Sequence, residues 1–118
     1  MDAFEDLEVW KRSSKLAVDI YATLKTCKDY GLKDQIVRAA VSISSNIAEG
    51  FERNSNKQFV QFLQIAKGSC GEFRSQLYIC AEIGEINIDK TKQLQQDTIE
   101  ISRMLQGLIN HCRRNEIN

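Results

Sequence analysis

Apolar residues return along this chain at intervals of three and four, the period of a helix that buries one face. Between about Leu7 and Lys28 the residues Leu7, Trp10, Ala17, Tyr21 and Leu24 recur in this way, and Val18 and Ile20 widen the stripe. Asp6 stands where an N-cap is wanted, and Glu8 suits the first turn through the helix dipole. Asp29-Tyr30-Gly31 ends the segment, with Gly31 suited to the left-handed conformation of a C-terminal cap. A second helix is predicted from about Leu32 to Arg53. Ile36, Ala40, Ile43 and Ile47 form one stripe on it, and Val37, Val41 and Ala48 form another, about 100° further round.

Gly50 and the polar run to Asn56 mark the next joint, and Ser55-Asn56-Lys57-Gln58 is a capping-box signature. The third helix, from about Asn56 to Gly84, carries the clearest stripe: Phe59, Leu63, Ala66, Cys70, Phe73, Leu77 and Ala81. After Gly84-Glu85-Ile86-Asn87, Asp89 is the expected N-cap of a last helix, in which Leu94, Thr98, Ile101, Leu105, Leu108 and Cys112 alternate by threes and fours. Four helices of about 20–29 residues with short joints pack as antiparallel neighbours. The predicted fold is all-α, an up-down-up-down antiparallel four-helix bundle, with residues 1–118 as a single domain.

Composition agrees. The chain has 118 residues, no proline, and 16 Lys+Arg against 16 Asp+Glu, so no global field draws it onto nucleic acid or a membrane. Binding of that kind needs local asymmetry. Cys27, Cys70, Cys80 and Cys112 show no C-x-x-C spacing. In the bundle Cys27 and Cys112 fall at opposite ends, and Cys70 and Cys80 are about 15 Å apart along one axis, beyond the ~4.4–6.8 Å of a disulfide. They are expected to be small core residues. The acidic start M-D-A-F-E-D-L-E-V-W is unlike a signal or transit peptide, and no apolar run approaches ~20 residues, so a reduced cytoplasmic protein with no membrane contact is expected.

Two features depart from an ordinary bundle. Ser42, Asn46, Glu49 and Arg53 form a polar row on a helix whose other arc already holds two apolar stripes, although serine and asparagine are indifferent helix formers. Gly68 and Gly71 sit inside the third helix, each costing about 1 kcal/mol relative to alanine. Glycine there suits a close-approaching backbone. The row and the glycines therefore predict a hydrogen-bonded surface that faces another chain, another helix or a ligand, with plain solvent as the bland alternative.

The segment S-I-S-S-N-I-A-E-G-F-E-R, followed by F-V-Q-F-L-Q-I-A-K-G-S-C-G-E and preceded by F-E-D-L-E-V-W-K and Y-G-L-K-D-Q-I-V-R-A-A, resembles the bacterial 23S rRNA intervening-sequence, or S23, proteins. The likeness runs from Phe4 to about Gly84 and fades in the last helix. Ser44 stands where that family commonly has proline, and the first joint, C-K-D-Y-G-L, is shorter. The resemblance implies an up-down bundle, homo-oligomers with pentameric rings among them, and kinship with the accessory protein of diversity-generating retroelements, which works with a reverse transcriptase and RNA. The family name records the position of the genes within ribosomal RNA genes and does not itself imply ribosomal activity.

A non-enzymatic homo-oligomer that binds RNA or a nucleic-acid-handling partner is the first reading. Its candidate contacts are Lys67 and Arg74 on the third helix, Lys11, Arg12 and Lys15 on the first, and Arg38 and Arg53 on the second, each with solvated surface charge as the plainer alternative. A structural or adaptor oligomer without nucleic acid is the second. Its candidate interface comprises Val37, Val41, Ala48, Asn46, Glu49, Gly68 and Gly71.

Enzyme chemistry finds little support. Di-iron bundles need E-x-x-H pairs, whereas the one histidine, His111, has Leu108 three before it. Zinc spacing and phosphate-cradling glycine motifs are missing from the chain. Glu49 beside Asn46 has no nucleophile, base or metal ligand in the pattern around it, and the serines lack an activating histidine. No cofactor, metal or small-molecule substrate is expected.

Overall fold

The computed structural model describes residues 3–116, Glu116 by its backbone alone. A 3₁₀ turn at Phe4–Asp6 precedes four helices: α1 (Glu8–Thr23), α2 (Tyr30–Glu52), α3 (Asn56–Glu82) and α4 (Ile88–Glu116). Cross-helix pairs give their directions. Ser42 meets Ser69 while Gly50 lies against Phe62, so α2 and α3 run antiparallel. Lys67 bonds Gln106 while Asn56 bonds Cys112, which sets α4 antiparallel to α3. Arg12 pairs with Glu100 and Asp19 with Lys90, closing the bundle between α1 and α4. The body measures 50 × 20 × 19 Å, the outline of four such rods side by side.

The joints differ in detail from the sequence expectations. Asp6 belongs to the 3₁₀ turn and does not cap α1; the N-cap position is Leu7, which offers no side-chain bond. That turn folds Phe4 back onto Trp10 with ring centroids 5.2 Å apart, so apolar packing fixes the entry of the chain. α1 stops at Thr23 and not near Lys28, and Gly31 is no cap but lies in the first turn of α2. Asp29 sets that start, its Oδ1 accepting the Leu32 N–H at 3.1 Å, because a carboxylate satisfies an orphan N–H that glycine cannot.

Gly50 is no joint either. It is buried inside α2, and the turn is made by Asn54 at φ 54°, a left-handed conformation asparagine tolerates. Ser55 caps α3 as its signature predicts, accepting the Gln58 N–H at 3.3 Å. Gly84, at φ 83°, closes α3 in a Schellman motif: Glu85 N–H donates to Cys80 O at 2.9 Å and Gly84 N–H to Ala81 O at 3.1 Å. Asn87, not Asp89, caps α4, its Oδ1 accepting the Lys90 N–H at 2.8 Å.

The first stripe of α2 and the stripes of α3 and α4 are buried essentially as their periodicity predicts. The α1 stripe is rotated: Val9, Ser13, Leu16, Ile20 and Leu24 face inward, while Val18 and Tyr21 are exposed. A serine in the buried row hid this phase. Ser13 Oγ donates to Val9 O at 2.7 Å, as Thr98 Oγ1 does to Leu94 O at 2.6 Å, so both buried hydroxyls are satisfied within their own helices. All four cysteines are free and buried. Burial pushes the Cys70 thiol up to about 12 and Cys80 up to about 11, which keeps both protonated as apolar filler.

Candidate functional site

The polar row of α2 resolves into two parts. Ser42 turns toward α3 and Asn46 backs it within α2: Ser42 Oγ lies 2.9 Å from Ser69 Oγ, and Asn46 Nδ2 donates to Ser42 O at 2.7 Å and to Ser42 Oγ at 3.0 Å. Of the three expected destinations, another helix takes Ser42, and Asn46 bonds back to Ser42 within α2. One turn on, Gly50 continues the seam, and a Cβ there would stand 2.5 Å from Phe62 Cβ. Ser42 and Gly50 thus let α2 and α3 approach closely. Glu49 and Arg53 end the row on the exposed side, paired at 2.8 Å, with the Arg53 guanidinium 5.0 Å from the centre of the Phe62 ring. Ser69, Phe62 and the packing role of Gly50 had no signal in one sequence, because their meaning depends on which helix lies opposite.

The second apolar stripe of α2 is largely covered within the chain. Val37 is half-buried against the core and Ala48 is half-buried, leaving Val41, 44% exposed, as the open member. Gly68 and Gly71 are not packed against another helix of this chain. Nothing lies within 4 Å of a Cβ built at either, so no backbone of this chain uses their smallness. They lie on the outer surface of α3, whose exposed side also carries Ile65, Tyr78, Ile79 and Ile83. Much of the uncovered apolar surface of the bundle is therefore on α3, on the side that carries both glycines.

The candidate basic residues fall into two groups. Arg38 and Arg53 sit on the outside of α2, each paired with the carboxylate four residues before it, Asp34 and Glu49. Such helical surface pairs contribute about 0.3–0.5 kcal/mol. The other five border α4. Lys11, Arg12 and Lys15 line a groove of about 400 Å³ between α1 and α4, facing Gln93, Asp97 and Ile101. On the opposite side Lys67 donates to Gln106 of α4, and Arg74 lies two turns further along the same edge. Arg74 Nε is buried with no hydrogen-bond partner among the described residues.

Glu8, Asp19 and Asp97 share the α1–α4 groove, so its field is mixed. Arg12 is held by Glu100, and the hydrogen bond it donates keeps the Glu100 carboxyl below the usual carboxylate range. A carboxylate lowered on folding adds stability above its unfolded pKa, and that contribution is lost as pH falls through the folded value. An NMR titration should find Glu100 ionising below the usual glutamate range, and Arg12→Ala should raise it.

His111 lies in a cavity of about 810 Å³ at the end of the bundle, with Asn54, Asn56, Phe51 and Phe59, and its Nε2 is 3.2 Å from Asn115 Nδ2. Among the described residues no group of three or more His, Cys, Asp or Glu is arranged to hold a metal ion, and no helix is long and apolar enough to cross a membrane.

Together these features define a small antiparallel four-helix bundle whose polar seam joins its own helices and whose remaining charged and apolar groups lie on its outside. The family of the 23S rRNA-intervening sequence protein matches residues 5–107, and the chain belongs to it. The match reaches well into α4, beyond the stretch where motifs alone carry the likeness. A crystal structure of a protein with unknown function from the S23 ribosomal protein family of Bacteroides thetaiotaomicron is similar, with 28% identity and a TM-score of 0.79 over 86% of this chain and 97% of that one. No curated protein matches the chain.

Proposed function

We propose that the chain is a non-enzymatic, homo-oligomeric bundle, pentameric in the manner its family suggests, that binds RNA or a nucleic-acid-handling partner. The observation that carries the RNA reading is the border of α4. Lys11, Arg12 and Lys15 from α1 and Lys67 and Arg74 from α3 frame one helix from two sides, although the chain has no net charge. Repetition of that frame around a ring multiplies a weak patch by avidity. The exposed Ile65, Tyr78 and Ile79 with Gly68 and Gly71 support self-association through α3, where glycine lets a second subunit come close. Protonated thiols at Cys70 and Cys80 favour a binding role over nucleophilic chemistry.

Light scattering and salt titration test both parts. The wild type should have a mass several times that of one chain. Ile79→Asp on α3 should reduce it, whereas Val41→Asp on α2 should have the smaller effect. Structured RNA should bind the intact oligomer with a log–log salt slope of about −0.9 per phosphate neutralised, and Lys11→Gln should reduce that slope by about one per engaged subunit. An oligomer with no affinity for RNA at low salt would leave the structural or adaptor reading, which the apolar α3 surface supports by itself.

A further inference from the structure

The corner where α1 hands over to α2 combines aromatic and basic groups that the bundle itself does not use. Tyr30, the first residue of α2, is 74% exposed, and Tyr21 across the joint is 56% exposed. A cleft of about 240 Å³ between the two helices is lined by Tyr21, Tyr30, Lys33, Asp34 and Val37. The Lys33 ammonium lies 5.1 Å from the centre of the Tyr21 ring and covers one of its faces, which leaves Tyr30 as the open aromatic surface.

Of the acids near this joint, Glu85 lies against the Cys27 thiol and stays a counter-charge. Asp19 holds Lys90, Asp29 caps α2 through the Leu32 N–H, and Asp34 pairs with Arg38. Among the described residues, Lys25, Lys28 and Lys33 have no carboxylate within ion-pair distance. Three lysines against the carboxylates of Asp29 and Glu85 leave the corner a small basic excess in a chain with no net charge.

The cleft is smaller than the ~300–1,000 Å³ that encloses a whole small molecule, and suits one planar ring. The Asp34 carboxylate on its wall disfavours a phosphate inside it, whereas Lys33 beside it and the exposed Lys25 and Lys28 of the preceding joint attract one outside. We propose that this corner takes one unstacked base of a single-stranded RNA, laid on the Tyr30 ring, with Lys25, Lys28 and Lys33 against the neighbouring phosphates. The inference rests on the RNA reading above and narrows it to single strands. Aromatic platforms stack on exposed base faces, and a duplex keeps those faces inside its own stack.

The test is fluorescence anisotropy with a labelled single-stranded 12-mer and with a hairpin duplex of the same composition. Tyr30→Leu should weaken the single strand about tenfold, within the range for loss of one base–aromatic stack, and leave the duplex unchanged. Tyr30→Phe and Tyr30→Trp should restore single-strand binding, the tryptophan with quenched emission on complex formation. Tyr30 is exposed at a helix start, so far-UV circular dichroism of Tyr30→Leu should match the wild type. If Tyr30→Leu weakens both forms equally or neither, the stacking site is wrong while the RNA reading stands. A fall in oligomer mass in Tyr30→Leu would make the corner a subunit contact and overturn the proposal. If the wild type binds neither RNA at low salt, the RNA reading fails and this site with it.

Discussion

Gly50→Ala is expected to destabilise the bundle by about 2 kcal/mol, although alanine is the better helix former by about 1 kcal/mol. A Cβ at position 50 would lie 2.5 Å from Phe62 Cβ and 3.1 Å from the Phe59 ring. Both Cβ atoms are fixed to their backbones, so no rotamer change relieves the contact and α2 must move away from α3. Overpacking of this kind costs about 1–3 kcal/mol, and so rigid a clash belongs at the top of that range, from which the propensity gain is subtracted. Separation of the helices would also stretch the Ser42–Ser69 hydrogen bond in the same seam. Gly68→Ala is the control. With nothing within 4 Å of its Cβ, it should stabilise a lone subunit by up to about 1 kcal/mol. Urea midpoints at low protein concentration check both, and a stable Gly50→Ala would mean the seam is looser than drawn. If Gly68→Ala instead weakens the oligomer, its glycine serves a contact between copies.

Phe73→Ala should cost more, about 3–5 kcal/mol, which is a large part of the roughly 5–15 kcal/mol available to a domain of this size. Phe73 is fully buried in the hydrophobic core and is the largest side chain so enclosed. Its removal leaves a cavity that four packed rods cannot close. Tyr78→Ala, on the exposed side of the same helix, should stay within about 0.5 kcal/mol in the isolated subunit. The measurement is again the denaturant midpoint, with unchanged slope showing that the unfolded state is not the cause. A loss below 1 kcal/mol for Phe73→Ala would mean that the bundle repacks around the gap.

Helix number, order and the inward faces of α2, α3 and α4 are legible in the chain, because long helices with short joints leave few ways to pack. The Ser55 cap and the Gly84 stop are legible for the same local reason, since each satisfies its neighbours' backbone groups. The misread points share a cause. Ser13 is polar but buried, and Tyr21 and Val18 are apolar but exposed, so residue type pointed the α1 stripe the wrong way. At Gly31 and Gly50 glycine suggested a turn, while Asp29 and Asn54 supplied the capping and the left-handed step.

The candidate surface was legible only as a list of residue types. That Ser42 and Asn46 are unusual follows from their place in a helix with two apolar stripes. That Ser42 meets Ser69, and that Gly50 meets Phe62, depends on the register between α2 and α3. Basic residues distant in sequence border α4 because α1 and α3 both lie beside it. The sequence by itself determined the period, the breaks and therefore the four-rod architecture, since those rest on interactions within a few residues. Only the tertiary structure decided which glycine is crowded and which lies open, and which polar side chains have partners, because those outcomes depend on contacts between residues far apart along the chain.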